Sequence, residues 1–595
     1  MSKKLLSGNE AIARGAYEAG VKTAYGYPGT PSTEILEELA KYDDVYAEWC
    51  PNEKVAFEVG IGSSIAGART FVAMKQVGLN VAADPLFTFS YTGVNAGFVF
   101  VSADDPQLHS SQNEQDNRHY AKAAKVPMIE PSDSQEAKDM VIEAFKISEE
   151  FDTPVMMRTT TRIAHSKSMV ENGERAAIEN KKYEKNPQKF VMIPAHGIKR
   201  HAFIEERLKR LQAYAEGFKF NTLEMNSNIL GIVSSGITYQ YAKELFPEAS
   251  HLKLAFTHPL PVKLIKKFAD KVKNIMVVEE LDPFLEDALR TLGLKVTGKE
   301  FVPIVGELNP GIVYDAVIKA YPEAVKLAQP GIDDGLEQAA GIRKGFASIP
   351  MRPPALCPGC PHRGVFYALR KHKYIVNGDI GCYTLAVLPP LSALDTQLDM
   401  GTGASVVHGF TKADAAFSKK AVGVIGDSTF IHSGIAPLIN TVYNKGTSTV
   451  IILDNRITAM TGRQDHPGTG RTIKGEKTYA LDFEKLARAI GIKSVRTVDP
   501  YDLKETEKAI NEETAKKEPS LIIARRACLL IERVWDLPYE IVTDVCRDCG
   551  QCISLGCPAL TRSGDVLKID RTLCIGCGVC YNICKFDAVK TRSKK

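Results

Sequence analysis

Long hydrophobic runs are missing from this sequence. No apolar stretch approaches the ~20 residues that a membrane span needs, so no membrane association is expected. An excess of one charge is missing too. Lysine and arginine total 75 against 71 aspartate and glutamate, a net +4 with both signs interspersed. Neither nucleic acid nor an anionic surface is therefore an expected partner. The start of the chain lacks a signal-peptide core. Lys3 and Lys4 lead into Leu5 and Leu6, and Ser7, Gly8, Asn9 and Glu10 break the run. A cytoplasmic location is expected. Low-complexity tracts are lacking as well.

What is present is length, alternation and an uneven set of cysteines. At roughly 100–200 residues per domain, 595 residues suggest three to five domains. Helical and strand-like patterns alternate over residues 1–175, with strands expected at Thr23–Tyr27, Phe98–Ser102 and Pro154–Met157. The pattern returns in a middle region, 200–325, at Ile229–Val233, Leu252–Ala255 and Ile275–Val278, and again over 350–535, at Ala421–Ile425 and Thr449–Leu453. This predicts an α/β protein of several open parallel-sheet domains. Residues 174–200 read as a solvated linker, Pro322–Pro354 as helix-poor, and 536–595 as a compact α+β cysteine module.

Eight of the 13 cysteines lie between Cys546 and Cys584. In a long chain without a signal peptide, such a cluster points to metal and not to disulfides. Cys546, Cys549 and Cys552 precede Cys557-Pro558, and Cys574, Cys577 and Cys580 precede Cys584. Two CxxCxxC runs, each with a distal cysteine, match the two-cluster bacterial ferredoxin pattern, in which the distal cysteine crosses to the other cluster. One 4Fe–4S cluster is thus assigned to Cys546, Cys549, Cys552 and Cys584, and the other to Cys557, Cys574, Cys577 and Cys580. There are two departures. Four residues, not three, separate Cys552 from Cys557, and Lys585 replaces the proline after Cys584. Zinc is the rival, but it favours paired ligands where this module offers triplets.

Gly426-Asp427-Ser428 follows one buried strand, and Asp454-Asn455 follows the next. This resembles the diphosphate motif of thiamine diphosphate enzymes. A Mg²⁺ bridging two phosphates needs hard oxygen ligands, which Asp427 and Asn455 can supply. Both are expected at the carboxyl ends of parallel strands. The resemblance adds the Ile457 carbonyl as a ligand. Gly401, Thr402, Gly403, Met460 and Thr461 look like further cofactor contacts. Glu53 opens a stretch with small residues at 60, 62, 66, 67 and 68, which predicts a tightly packed helix. It resembles the helix whose glutamate protonates the aminopyrimidine ring, so that the ring can take the thiazolium C2 proton. Tyr27-Pro28-Gly29-Thr30-Pro31 resembles a turn of 2-oxoacid:ferredoxin oxidoreductases whose threonine lies by the substrate carboxylate, which makes Thr30 a candidate. His109, in a polar loop, is either an active-site residue or an exposed histidine.

The whole chain resembles the large subunit of indolepyruvate-type 2-oxoacid:ferredoxin oxidoreductases. The resemblance implies oxidative decarboxylation of an aryl 2-oxoacid with coenzyme A, ferredoxin as electron acceptor, and a smaller beta subunit. The same chemistry on pyruvate or 2-oxoglutarate is one rival. A non-redox thiamine diphosphate decarboxylase is another, but it has no use for eight terminal thiolates. Cys357, Cys360, Cys382 and Cys528 leave two readings open. Related subunits bind a third 4Fe–4S cluster with cysteines at similar places; alternatively Cys528 is plain core and the CxxC a remnant or redox pair.

Overall fold

The computed structural model describes residues 3–347, 349–350, 352–532, 536–564 and 566–591. The boundary expected at 535 falls outside them. The chain divides into two compact units, Met1–Pro350 and Met351–Lys595.

The first unit is built on a seven-stranded sheet. Its spatial order is Phe256–His258, Met128–Ile129, Val155–Thr160, Phe98–Asp104, Thr70–Lys75, Thr23–Gly26 and Tyr46–Trp49. Neighbouring strands run parallel except at the first edge, where Phe256–His258 pairs antiparallel with Met128–Ile129. That edge strand comes from the middle region, so this sheet is not wholly parallel. Central strands such as Thr70–Lys75 and Phe98–Asp104 are buried along their whole length, as a sheet covered on both faces requires. Helix Gly8–Glu18 starts at a capping box, with Ser7 Oγ accepting from Glu10 N and Glu10 Oε2 accepting from Ser7 N at 2.7 Å. A second sheet runs Asn274–Val278, Leu230–Ser234, Ser250–Lys253, Thr222–Glu224, parallel except for the last.

Several expectations need correction. The supposed linker at 174–200 ends in helix, Pro187–Phe190 and then Pro194–Ala215. The second helix runs on past the stretch and buries Ile204, Arg207, Leu211 and Ala215. The supposedly helix-poor stretch contains helix Ile332–Ala347. The glutamate-bearing helix is Glu53–Ile65, so Ala66, Gly67 and Ala68 lie beyond it. Gly62 is exposed with nothing near it, and close packing on this helix falls to Gly60.

The second unit holds a fully parallel five-stranded sheet, ordered Ile375–Asn377, Ala421–Gly426, Thr449–Asp454, Ser520–Arg525, Ser494–Val498. The cysteine module that follows has little regular structure. It contains two short antiparallel ribbons, Tyr539–Ile541 with Val589–Thr591 and Leu560–Ser563 with Val566–Ile569, and the five-residue helix Val579–Ile583.

Candidate functional site

In the second unit, Gly426 and Leu453 are register partners on adjacent parallel strands, so Asp427 and Asn455 emerge side by side from the carboxyl edge. Both are buried. Asp427 Oδ1 accepts from Ser428 N at 2.8 Å, and Oδ2 from Arg456 N at 2.7 Å. Asn455 Oδ1 accepts from Ile457 N at 3.2 Å. Thr458 Oγ1 donates to Ser428 Oγ at 2.9 Å, closing the two loops on each other. Gly401 has φ of +100°, and its N–H donates to Asp379 Oδ2 at 2.7 Å. Helix Thr402–Ala413 follows, with Gly403 against Val424 of the sheet. Burial pushes the Asp379 carboxyl up to about 7. Met460 is 54% exposed, and Thr461 donates to Gln464 within its own loop. The structure thus gathers Gly426, Asp427, Ser428, Asn455 and Ile457, and ties Gly401 to the sheet through Asp379, while Met460 and Thr461 sit in a separate turn.

Sequence reasoning missed two histidines here. His466 is buried, with Nε2 3.2 Å from Asp427 Oδ2. His362 Nε2 lies 3.4 Å from Asn455 Nδ2, and burial lowers its pKa to about 4. His362 was visible as part of Cys357-Pro-Gly-Cys-Pro-His362; no local signal marks His466.

Four of the terminal cysteines share one small cavity. Cys557, Cys574, Cys577 and Cys580 all line it, together with Gly359 and Ile575. Burial, reinforced by the other thiols, pushes Cys580 far up and Cys577 to about 11. Cys552 is raised by burial, with smaller contributions from Cys549 and Cys546. Cys584 directly follows helix Val579–Ile583. Among the described residues, no three thiols lie within 4.8 Å of one another.

The four remaining cysteines of this unit also converge. Burial raises Cys360 to about 12 and Cys382 to about 11. Cys357 and Cys382 act on Cys360, Cys528 and Cys357 act on Cys382, and Cys357 acts on Cys528. Cys528 N donates to Asn455 O at 2.9 Å, so this group adjoins the Asp427–Asn455 edge.

In the first unit, Glu53 is the buried first residue of its helix, which Asn52 caps by accepting from Val55 N at 2.9 Å. A Cβ on Gly78 would fall 2.5 Å from Glu53 Oε1, so only glycine fits there. Lys75 is buried at the end of its strand. Burial lowers its pKa to about 8 against the opposing charges of Asp105 and Glu53. Lys75 Nζ donates to Ser110 O at 2.6 Å, and Ser110 Oγ donates to Thr30 O at 3.1 Å. These bonds link the Thr30 turn to the polar loop. His109 itself is exposed, 3.3 Å from Glu307 Oε2. Beneath the loop lie two buried arginines that the sequence did not mark. Arg118 pairs with Asp116 and Glu279, and Arg158 with Asp104 and Glu130.

Three family models match the chain. Residues 14–219 match the pyruvate flavodoxin/ferredoxin oxidoreductase thiamine-diphosphate-binding domain. Residues 379–524 match the C-terminal thiamine pyrophosphate-binding domain of thiamine pyrophosphate enzymes. Residues 567–590 match a 4Fe–4S binding domain. Together they define the class: a thiamine-diphosphate, iron–sulfur oxidoreductase of the 2-oxoacid:ferredoxin type.

The relatives narrow it. Indolepyruvate oxidoreductase subunit IorA of Archaeoglobus fulgidus is 41% identical, covering 99% of this chain and 97% of the relative. The proteins of the same description from Methanothermobacter marburgensis and Thermococcus kodakarensis are each 39% identical, covering 99% and 98% of this chain and 97% and 96% of their own lengths. The chain belongs to this indolepyruvate oxidoreductase IorA family. Among the described residues, no helix is long and apolar enough to cross a membrane.

Proposed function

We propose that this chain is the large subunit of an enzyme that oxidatively decarboxylates an aryl 2-oxoacid of the indolepyruvate type. The 2-oxoacid and the coenzyme A thiol give the arylacetyl-CoA thioester, carbon dioxide, one proton and two electrons. The electrons leave one at a time through iron–sulfur clusters to ferredoxin. A smaller beta subunit completes the enzyme, which works in the cytoplasm. The aryl preference rests on the names that the relatives carry.

The redox reading rests most on the bond from Cys528 N to Asn455 O. Through it, four convergent thiols adjoin the proposed metal–diphosphate edge, where a first electron acceptor is needed. Asp427, Asn455 and the Ile457 carbonyl would hold Mg²⁺. A buried carboxylate and an amide oxygen, on adjacent strand ends, suit such a hard cation. Gly401, Thr402, Gly403, Gly426, Ser428, Met460 and Thr461 would contact thiamine diphosphate. When bound, that cofactor supplies a carbon nucleophile and an electron sink. Glu53 would hold the proton shared with the aminopyrimidine ring. Thr30 would orient the substrate carboxylate, and His109 would exchange protons at the loop. Cys557, Cys574, Cys577 and Cys580 would hold one 4Fe–4S cluster, around a cavity that all four line. Cys546, Cys549, Cys552 and Cys584 would hold another, and Cys357, Cys360, Cys382 and Cys528 a third. Four domains, 1–175, 200–325, 350–535 and 536–595, would divide these roles.

The test is reduction of ferredoxin or viologen by purified holoenzyme across a panel of 2-oxoacids. Fastest CoA-dependent reduction with indolepyruvate or phenylpyruvate is expected. A preference for pyruvate or 2-oxoglutarate overturns the aryl reading, and decarboxylation without acceptor reduction overturns the redox reading. About twelve irons per chain, falling to about eight in Cys357→Ser, would support the third cluster.

A further inference from the structure

We propose that Arg363 is the buried counter-cation of the iron–sulfur path, and that it raises the reduction potential where the Cys357–Cys360 turn meets the cysteines lining the terminal cavity. The proposal rests on the reading that Cys557, Cys574, Cys577 and Cys580 hold a cluster.

Arg363 is 4% exposed, in the first turn of helix His362–Lys371. Its Nη1 donates to Leu555 O at 2.9 Å and Gly556 O at 2.6 Å, just ahead of Cys557. Its Nη2 donates to Leu356 O and, at 3.3 Å, to Cys357 O. Nε also reaches Cys357 O, at 3.4 Å. One guanidinium therefore holds the backbone on both sides of the junction. Gly359 marks how close that junction is. A Cβ there would sit 2.4 Å from Ile575 Cδ1, and both residues line the cavity of the four terminal cysteines. Tyr501 adds a third tie, donating from its hydroxyl to Gly359 O.

All of these acceptors are neutral carbonyls. Carbonyls satisfy the N–H groups but not the charge, and an unpaired buried charge is costly. Arg118 and Arg158, two of the buried arginines of the first unit, each take two carboxylates. Arg207 also donates to carbonyls, but the Asp152 carboxylate is the main opposing charge on it. Among the described residues no carboxylate pairs with Arg363. Burial lowers its pKa, and the opposing groups are the thiols of Cys557, Cys360, Cys357 and Cys577. As thiols these are neutral and leave the cation uncompensated. As ligands of a cluster they are thiolates, and the cluster carries net negative charge, more so when reduced. The fixed cation then favours the reduced state, because net charge and surroundings set cluster potentials. The same attraction holds the CxxC turn against the terminal module, at the point where electrons leave the diphosphate region.

The experiment is a redox titration of the purified holoenzyme, followed by electron paramagnetic resonance, with iron content measured in parallel. Arg363→Gln and Arg363→Lys both lose most of the carbonyl bonds, but only Lys keeps the charge. For Arg363→Gln, a shift of at least about tenfold in one cluster's reduction equilibrium is expected, toward lower potential, or about 59 mV for one electron. Arg363→Lys should shift less than half as far. Iron lost from the Gln variant but kept in the Lys variant would also support the proposal. Equal shifts in both, no shift in either, or equal loss of iron from both would overturn it, leaving Arg363 a packing residue. Iron content unchanged by Cys577→Ser would instead overturn the cluster reading on which the proposal rests.

Discussion

Buried arginines of the two units, Arg118 and Arg158 in the first and Arg363 in the second, meet the cost of burial in opposite ways. In the first, Arg118 and Arg158 lie among Asp104, Asp116, Glu130 and Glu279, and each cation has protein anions within hydrogen-bonding distance. In the second, Arg363 and a crowd of raised thiols have no protein counter-charge among the described residues. The charges of Arg118 and Arg158 are closed by protein carboxylates, whereas that of Arg363 would be closed only by thiolates holding iron. The first unit rests on fully buried strands of six and seven residues, and the terminal module on strands of three and four.

This contrast can be tested by removing one partner at a time. The largest effect is expected from stripping iron with a chelator under reducing conditions. Residues 536–591 should become protease-sensitive while Met1–Pro350 stays resistant, because only the module depends on metal for its core. Equal loss of protection in both units would break the comparison.

Next is Glu53→Gln. Turnover should fall by roughly 10²–10⁴-fold, the usual worth of a positioned proton donor, with iron content and fold unchanged. Steady-state viologen reduction and iron analysis would read it, and near-normal turnover would remove Glu53 from the mechanism.

Arg158→Met leaves Asp104 and Glu130 buried without their cation. A loss of about 3–5 kcal/mol is expected in unfolding of the first unit alone, followed by calorimetry of the apoprotein. Little change would mean that solvent already screens these groups.

The smallest effect concerns Asp379. Its folded pKa, near 7, lies above the ordinary carboxylate value of 3.8. The protonated form is therefore favoured by folding. Its contribution is present below about pH 4 and is lost as pH rises through 7. Wild-type apoprotein should gain more stability than Asp379→Asn when pH drops from 7.5 to 5. Parallel pH profiles would show that Asp379 ionises normally.

Much of this protein is legible in the order of its residues. Ligands of one cluster or one metal recur at short, fixed spacings, so Cys546 to Cys584 and the Asp427–Asn455 pair stand out as strings. Buried parallel strands also announce themselves as apolar runs of the right length. Helix Ile332–Ala347 escapes notice because its glycines and neighbouring prolines outweigh a weak periodicity. Strand Phe256–His258 escapes because a three-residue edge strand takes its identity from the sheet it joins.

Residue types, local spacings and the class of cofactor chemistry they suit are properties of the linear chain. Which distant residues meet was decided by folding alone. Cys528 reaches Asn455 across 73 positions through a bond between backbones, which carries no side-chain signature. His466 beside Asp427, and Arg363 between Cys357 and Cys557, are likewise contacts of folded loops. Their energies come from desolvation and charge at close range, and both vanish in the extended chain, where water surrounds every group alike.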